Sequence, residues 1–131
     1  MTNGLLDTSV IIDIEQIQVG ALPIESSISA MTLAELSAGV PAAQNEMVRA
    51  IRQRRLQTLE SLVDVLSFDA SCARAYATIF AAATSHGRKP RGGRAIDYLI
   101  AATALSNNLP LYTRNPKDFA GLEKVIDIVS V

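Results

Sequence analysis

Apolar residues fall in short runs broken by polar punctuation, and two periodicities alternate along the chain. Gly4-Leu5-Leu6 is a short apolar run ended by Asp7-Thr8-Ser9, after which Val10, Ile11, Ile12 and Ile14 predict a buried helix. Ser27 to Met31 alternates weakly like a strand, and Thr32 then opens a helix through Leu33, Glu35, Leu36 and Ala38, closing at Gly39 and Pro41. From Gln44 to Leu62 the residues Met47, Val48, Ile51, Leu56, Leu59 and Leu62 recur at helical spacing, with Arg49, Arg52, Arg54 and Arg55 between them. That pattern predicts a long amphipathic helix. Val63 to Phe68 predicts another strand, Asp69 is a natural N-cap, and Ala70 to Ser85 is strongly helical by propensity. A loop, HGRKPRGGR, leads into a nearly all-apolar helix from Ala95 to Ser106 that carries Asp97. Leu109 to Tyr112 predicts a strand, Asn115-Pro116 a turn, and Val125 to Val129 a last strand. No linker or internal repeat interrupts this series, so residues 1–131 read as one domain.

Short apolar strands alternating with helices predict an α/β domain with a central parallel sheet of about four or five strands, covered by helices on both faces. In such sheets, ligands bind where the chain leaves the carboxyl ends of the strands. Asp7 directly follows the first strand, Glu35 lies one turn into the helix after the second, and Asn115 and Asp118 follow the strand ending near Tyr112. All fall at one edge. Asp97 sits instead within a helix, flanked by Ile96, Leu99 and Ile100, where a charge needs a partner.

Composition narrows the field. Twelve basic residues nearly balance thirteen acidic ones, so no global positive field marks a nucleic-acid binder, and any such role rests on local charge. With no tryptophan and 5% aromatic residues, a base-stacking platform of the RRM or OB type is excluded. The single cysteine, Cys72, has no disulfide or zinc-cluster partner and points to a reducing compartment. The opening MTNGLLDTSV lacks a basic segment followed by an apolar core, and no apolar run approaches the roughly 20 residues that span a bilayer, so a cytoplasmic protein is expected. Hydrophobic residues make up 49% of the chain, many of them alanine, which suggests close helix packing and a further apolar face covered by a partner.

Carboxylates crowded at one edge repel one another unless positive charge intervenes. A set of Asp and Glu with a lone histidine, His86, suits Mg²⁺ or Mn²⁺ better than zinc. Each acid also has an ordinary structural reading. Asp7 could cap the helix beginning at Thr8, and Thr32-Leu33-Ala34-Glu35 fits a capping box. Asp97 could pair with Arg94 three residues earlier, and Asp118 could close the Asn-Pro turn. Asp13, Asp64, Asp69 and Asp127 show no convergence and serve as controls. The basic loop Arg88-Lys89-Pro90-Arg91-Gly92-Gly93-Arg94 precedes the Asp97 helix, where Arg91 and Arg94 could meet RNA phosphates; a solvated loop is its plain alternative.

Taken together, L-L-D-T-S-V-I-I-D at the start, T-L-A-E-L around Glu35, R-A-I-D-Y-L-I-A-A-T-A around Asp97 and Y-T-R-N-P-K-D-F near Asp118 resemble the PIN-domain family, and within it the VapC-type toxins of type II toxin-antitoxin pairs. The likeness spans almost the whole chain in the right order. It implies an endoribonuclease dependent on Mg²⁺ or Mn²⁺, with acidic metal ligands at Asp7, Glu35 and Asp97 and a fourth acid at or near Asp118. It also implies supporting roles for Thr8 and Thr113, a neutral contact from Asn115, a homodimer, and a VapB-like antitoxin whose tail enters the acidic site. A haloacid-dehalogenase-like phosphatase would want a second Asp where Ser9 stands. A receiver domain would want an acceptor Asp at the end of a central strand. A non-catalytic module for dimerisation or antitoxin binding is the competing non-enzymatic expectation, and metal-dependent RNA cleavage separates the two.

Overall fold

A computed structural model describes residues 3–131. Five parallel strands form one sheet: β1 (Asn3–Leu6), β2 (Glu25–Ser29), β3 (Asp64–Leu66), β4 (Leu111–Thr113) and β5 (Ile128–Ser130), in the spatial order β3-β2-β1-β4-β5. Five helices accompany them: α1 (Thr8–Ile12), α2 (Ala30–Ala38), α3 (Glu46–Leu62), α4 (Ala70–Ser85) and α5 (Gly93–Ser106). The expected α/β architecture and its upper strand count are both present. The chain builds outward from β1 in one direction through β2 and β3, then crosses back to place β4 on the other side of β1. That reversal makes the gap beyond the carboxyl ends of β1 and β4 the topological switch point, the ordinary place for a ligand crevice.

With both faces of the central strands covered, consecutive residues enter different cores. Leu5 and Leu111, paired in register, join Ile79, Tyr98, Ile100, Phe119 and Leu122 beneath α4 and α5. Leu6 and Tyr112, the next pair, join Val10, Ile17 and Ile28 on the opposite face. Gly4 is dictated by this second packing, because a Cβ there would lie 2.4 Å from Cε1 of Tyr112. The segment 100–104 of α5 is fully buried, so this helix is a rigid wall on which Asp97 is carried.

Three local expectations change. The helix after Asp7 stops at Ile12, and only Val10 of its apolar residues is buried; Ile12 is 69% and Ile14 40% exposed, because the chain tightens at Asp13 into a 3-10 turn. The second helix starts at Ala30, capped by the Ser29 hydroxyl that accepts from the Thr32 amide at 3.1 Å, so Thr32 is inside the helix and not at its cap. The last strand is confined to Ile128–Ser130, with turns preceding it. Asp69 caps α4 as expected, accepting from the Cys72 amide at 3.0 Å. Helix α3 buries no residue at all and leaves Met47, Ile51 and Leu62 exposed.

Candidate active site

Asp7 continues the β1 ladder, its amide donating to the Tyr112 carbonyl at 2.9 Å, and then leaves the sheet beside the end of β4. Its backbone is extended as an N-cap requires, yet the side chain caps nothing. Only 5% exposed, the carboxylate instead accepts two hydroxyls on one oxygen: Ser9 donates to Oδ2 at 2.8 Å and Thr113 donates to the same Oδ2 at 2.8 Å. Each hydroxyl has a defined sense. Ser9 Oγ accepts the Arg114 amide at 3.1 Å and Thr113 Oγ1 accepts the Asn115 amide at 3.0 Å, so both protons are directed at Asp7. The Arg114 guanidinium reaches Asp13 at 3.3 Å and the Val131 carbonyl at 3.2 Å, pinning the segment from which these amides point.

A second chain of hydroxyls serves Glu35. Thr8 donates to Glu35 Oε1 at 2.6 Å, and Thr8 and Thr32 hydroxyls lie 2.9 Å apart. Thr8 has one proton, committed to the carboxylate, so Thr32 donates to Thr8. The capping-box reading of Glu35 is thereby replaced: its side chain reaches across to α1 and not back to the start of its own helix. Thr32 and Ser29 are fully buried and anchor this chain in the protein interior.

The facing wall is different in character. Asp97, half-buried on the first turns of α5, has its pKa pushed up to about 7, first by burial and then by the negative charges of Asp7, Asp118 and Glu35 in that order. Arg94 opposes the shift but forms no ion pair with Asp97; its guanidinium donates instead to the Lys89 carbonyl at 3.4 Å. The alternative reading of Asp97, an ion pair with Arg94, is therefore not realised among the described residues. Asp97 and Asp118 line a cleft of about 630 Å³ together with Gly87, Lys89, Arg91, Gly93 and Arg94. Gly92, at φ +57° in the left-handed region, turns the basic loop into α5. Arg88 ties that loop to the turn bearing Asp118 by donating to the Lys117 carbonyl at 3.1 Å. Asn115 enters through its backbone only: its amide holds Thr113 and its carbonyl accepts the Asp118 amide at 3.0 Å.

Asp97 thus feels the charges of the other three acids, although no three of the four close into a ready-made ligand cage among the described residues. The donor set still fits a hard divalent cation. Every side-chain ligand available is a carboxylate oxygen, the cleft lining contains neither His nor Cys, and mutual repulsion leaves negative charge to be neutralised. Mg²⁺ keeps several waters and takes one or two protein carboxylates, so an open arrangement suits it. Ser9, Ser29, Thr32 and Lys89 were not among the sequence-derived site residues. The D-T-S and T-x-x-E spacings contained Ser9 and Thr32, but both also read as caps.

The matching family model, that of the PIN domain, covers residues 4–125. This chain belongs to the PIN-domain family. Within it, the chain is 39% identical over 125 residues to Ribonuclease VapC5 of Mycobacterium tuberculosis, covering 92% of this chain and 87% of that protein. A crystal structure of VapBC-5, a member of the VapBC family of toxin-antitoxin systems from the same organism, superimposes with a TM-score of 0.87 at 34% identity over the full length of both chains. The FitAcB structure from Neisseria gonorrhoeae gives a TM-score of 0.79 at 30% identity, covering 96% of each chain. Such likeness places the chain in the VapC branch of the PIN-domain family, and the acid-bearing switch point of this PIN domain is its candidate active site.

Proposed function

We propose that this PIN-domain protein is an endoribonuclease, the toxin of a VapBC-type pair, hydrolysing RNA phosphodiester bonds at a site loaded with Mg²⁺ or Mn²⁺. The observation that carries the reading is the convergence of a hydroxyl-clasped, buried Asp7 with an Asp97 whose pKa is held near 7 by burial and by three further acids. Asp7, Glu35 and Asp97 would hold the cation. When bound, it would lower the pKa of a water and offset charge developing on a phosphate oxygen. Asp118, across the cleft from the sheet, orients water or ligand. Arg91 and Arg94 place the RNA backbone through its phosphates, and Lys89 adds a third positive charge to the same lining. In the reaction the water oxygen bonds to phosphorus, the P–O bond to one sugar breaks, and the departing oxygen gains a proton.

The VapBC-5 relative is described as a toxin-antitoxin pair, which supports a VapB-like antitoxin as partner here. The exposed Met47 and Ile51 of α3 leave apolar surface for a homodimer or the antitoxin body. Among the described residues no helix is long and apolar enough to cross a membrane, in keeping with a cytoplasmic role beside RNA. Purified protein freed of antitoxin should cleave a broad transcript pool with Mg²⁺ or Mn²⁺ and lose that activity with chelator. Folded protein that leaves every transcript intact under these conditions overturns the nuclease reading and favours a non-catalytic binding module.

A further inference from the structure

We propose that the hydroxyls around Asp7 and Glu35 set which divalent cation the site accepts, by favouring one oxygen of each carboxylate over the other. This rests on the metal-dependent reading above and adds a role for Thr8, Ser9 and Thr113 as positioning residues. Both hydroxyls on Asp7 converge on Oδ2, at 2.8 Å each, and among the described residues nothing donates to Oδ1. On Glu35 the Thr8 hydroxyl takes Oε1 at 2.6 Å, and nothing donates to Oε2. The hydroxyls cannot readily turn away. Backbone amides of Arg114 and Asn115 occupy the acceptor sides of Ser9 and Thr113, and the buried Thr32 donates to Thr8. Both lone pairs of Asp7 Oδ2 and one of Glu35 Oε1 are thus engaged, so each carboxylate is presented to a cation chiefly through its other oxygen.

Cations differ in how they treat that offer. Ca²⁺ takes six to eight oxygens and commonly grips a carboxylate by both, whereas Mg²⁺ accepts octahedral sets built from single carboxylate oxygens and water. Mn²⁺ shares the octahedral preference. Tying up one oxygen of each acid therefore penalises Ca²⁺ more than Mg²⁺ or Mn²⁺. Discrimination by neutral hydroxyls leaves the net charge of the site unchanged, so affinity for all cations is retained while their ranking is set.

The test is Mn²⁺ binding followed by electron paramagnetic resonance, with Ca²⁺ as competitor, on the full chain freed of antitoxin. Removing the hydroxyls, in Thr8→Val and in a Ser9→Ala/Thr113→Val double variant, should raise the affinity of Ca²⁺ relative to Mn²⁺ by about tenfold, the lower end of what altered outer-shell partners do. Thr8→Ser and Thr113→Ser, which restore the donor, should return the ratio of the parent. Thr113 is fully buried, so the double variant may only be read once its circular dichroism matches the parent; the partly exposed Thr8 carries the test independently. A parent that binds Mn²⁺ and hydroxyl-free variants that keep the parental ratio overturn this inference alone. A parent that binds no Mn²⁺ overturns the cation-site reading together with it, and Mn²⁺ binding without RNA cleavage overturns only the nuclease reading.

Discussion

At the end of β1 Asp7 is buried, yet two hydroxyls meet one of its oxygens; on α5, which lines the cleft, Asp97 is half-buried, and no side chain pairs with it among the described residues. Asp7 is compensated by neutral donors that ride on backbone amides, so its place is fixed whatever occupies the cleft. Asp97 is compensated only if a cation or a proton arrives, and its pKa near 7 is the measure of that need. One wall is preorganised, the other is responsive. The contrast teaches that a site can be rigid in geometry on one side while remaining charge-starved on the other.

Substituting each acid breaks the comparison most strongly. Asp7→Asn and Asp97→Asn should each lower RNA cleavage by about a thousandfold or more, because each removes cation-binding charge while conserving shape. Asp69→Asn, at the α4 cap, should retain activity. A steady-state assay with chromatography and circular dichroism as fold checks reads all three, and full activity in either site variant would remove that acid from the site.

Arginine removal probes the responsive wall at a lower level. Arg91→Ala and Arg94→Ala should raise KM while leaving kcat near that of the parent, and each should reduce the slope of log affinity against log salt by about 0.7 for single-stranded RNA. A loss confined to kcat would place these residues in chemistry and not in backbone tracking.

The smallest effect concerns stability without cation. Asp97 binds its proton more tightly folded than unfolded, since its pKa rises from 3.8 to about 7, so the folded state holds more protons than the unfolded state between those values. Stability from this residue is therefore complete below about pH 4 and lost as pH rises through 7. Asp97→Asn should stabilise the chelated protein at pH 8 by about 1 kcal/mol, water screening having trimmed the effect of a half-exposed carboxylate, and should make no difference at pH 4. Parallel urea titrations at the two pH values measure this. An equal effect at both would trace the gain to packing and not to charge.

The architecture was readable where short apolar runs alternate with helical periodicity and where a cap marks a start: Asp69 before α4 is an instance where sequence and structure agree residue for residue. Ends were less readable. Ser29 displaced Thr32 as the cap of α2 because a strand leads straight into the helix without the polar break that marks a start. The acids themselves were found through their order along the chain, but their partners were not. Ser9 meeting Asp7 beside Thr113, or Thr32 feeding Thr8 and then Glu35, depends on distances across strands that no local spacing encodes. Arg94 shows how local spacing offers alternatives that the fold declines. An i,i+3 spacing suggested a pair that the backbone of the preceding loop claims instead.

The Asp7–Thr113 hydrogen bond joins residues 106 positions apart, and Arg114 meets Ser9 across 105. During translation, β1 must wait for β4 to be made before Asp7 acquires its clasp, and Asp97 and Asp118 arrive in the same late portion of the chain. A nascent polypeptide therefore carries Asp7 and Glu35 through most of its synthesis without a complete site. Whatever the site does, it can begin only once β4 has been made and has paired with β1.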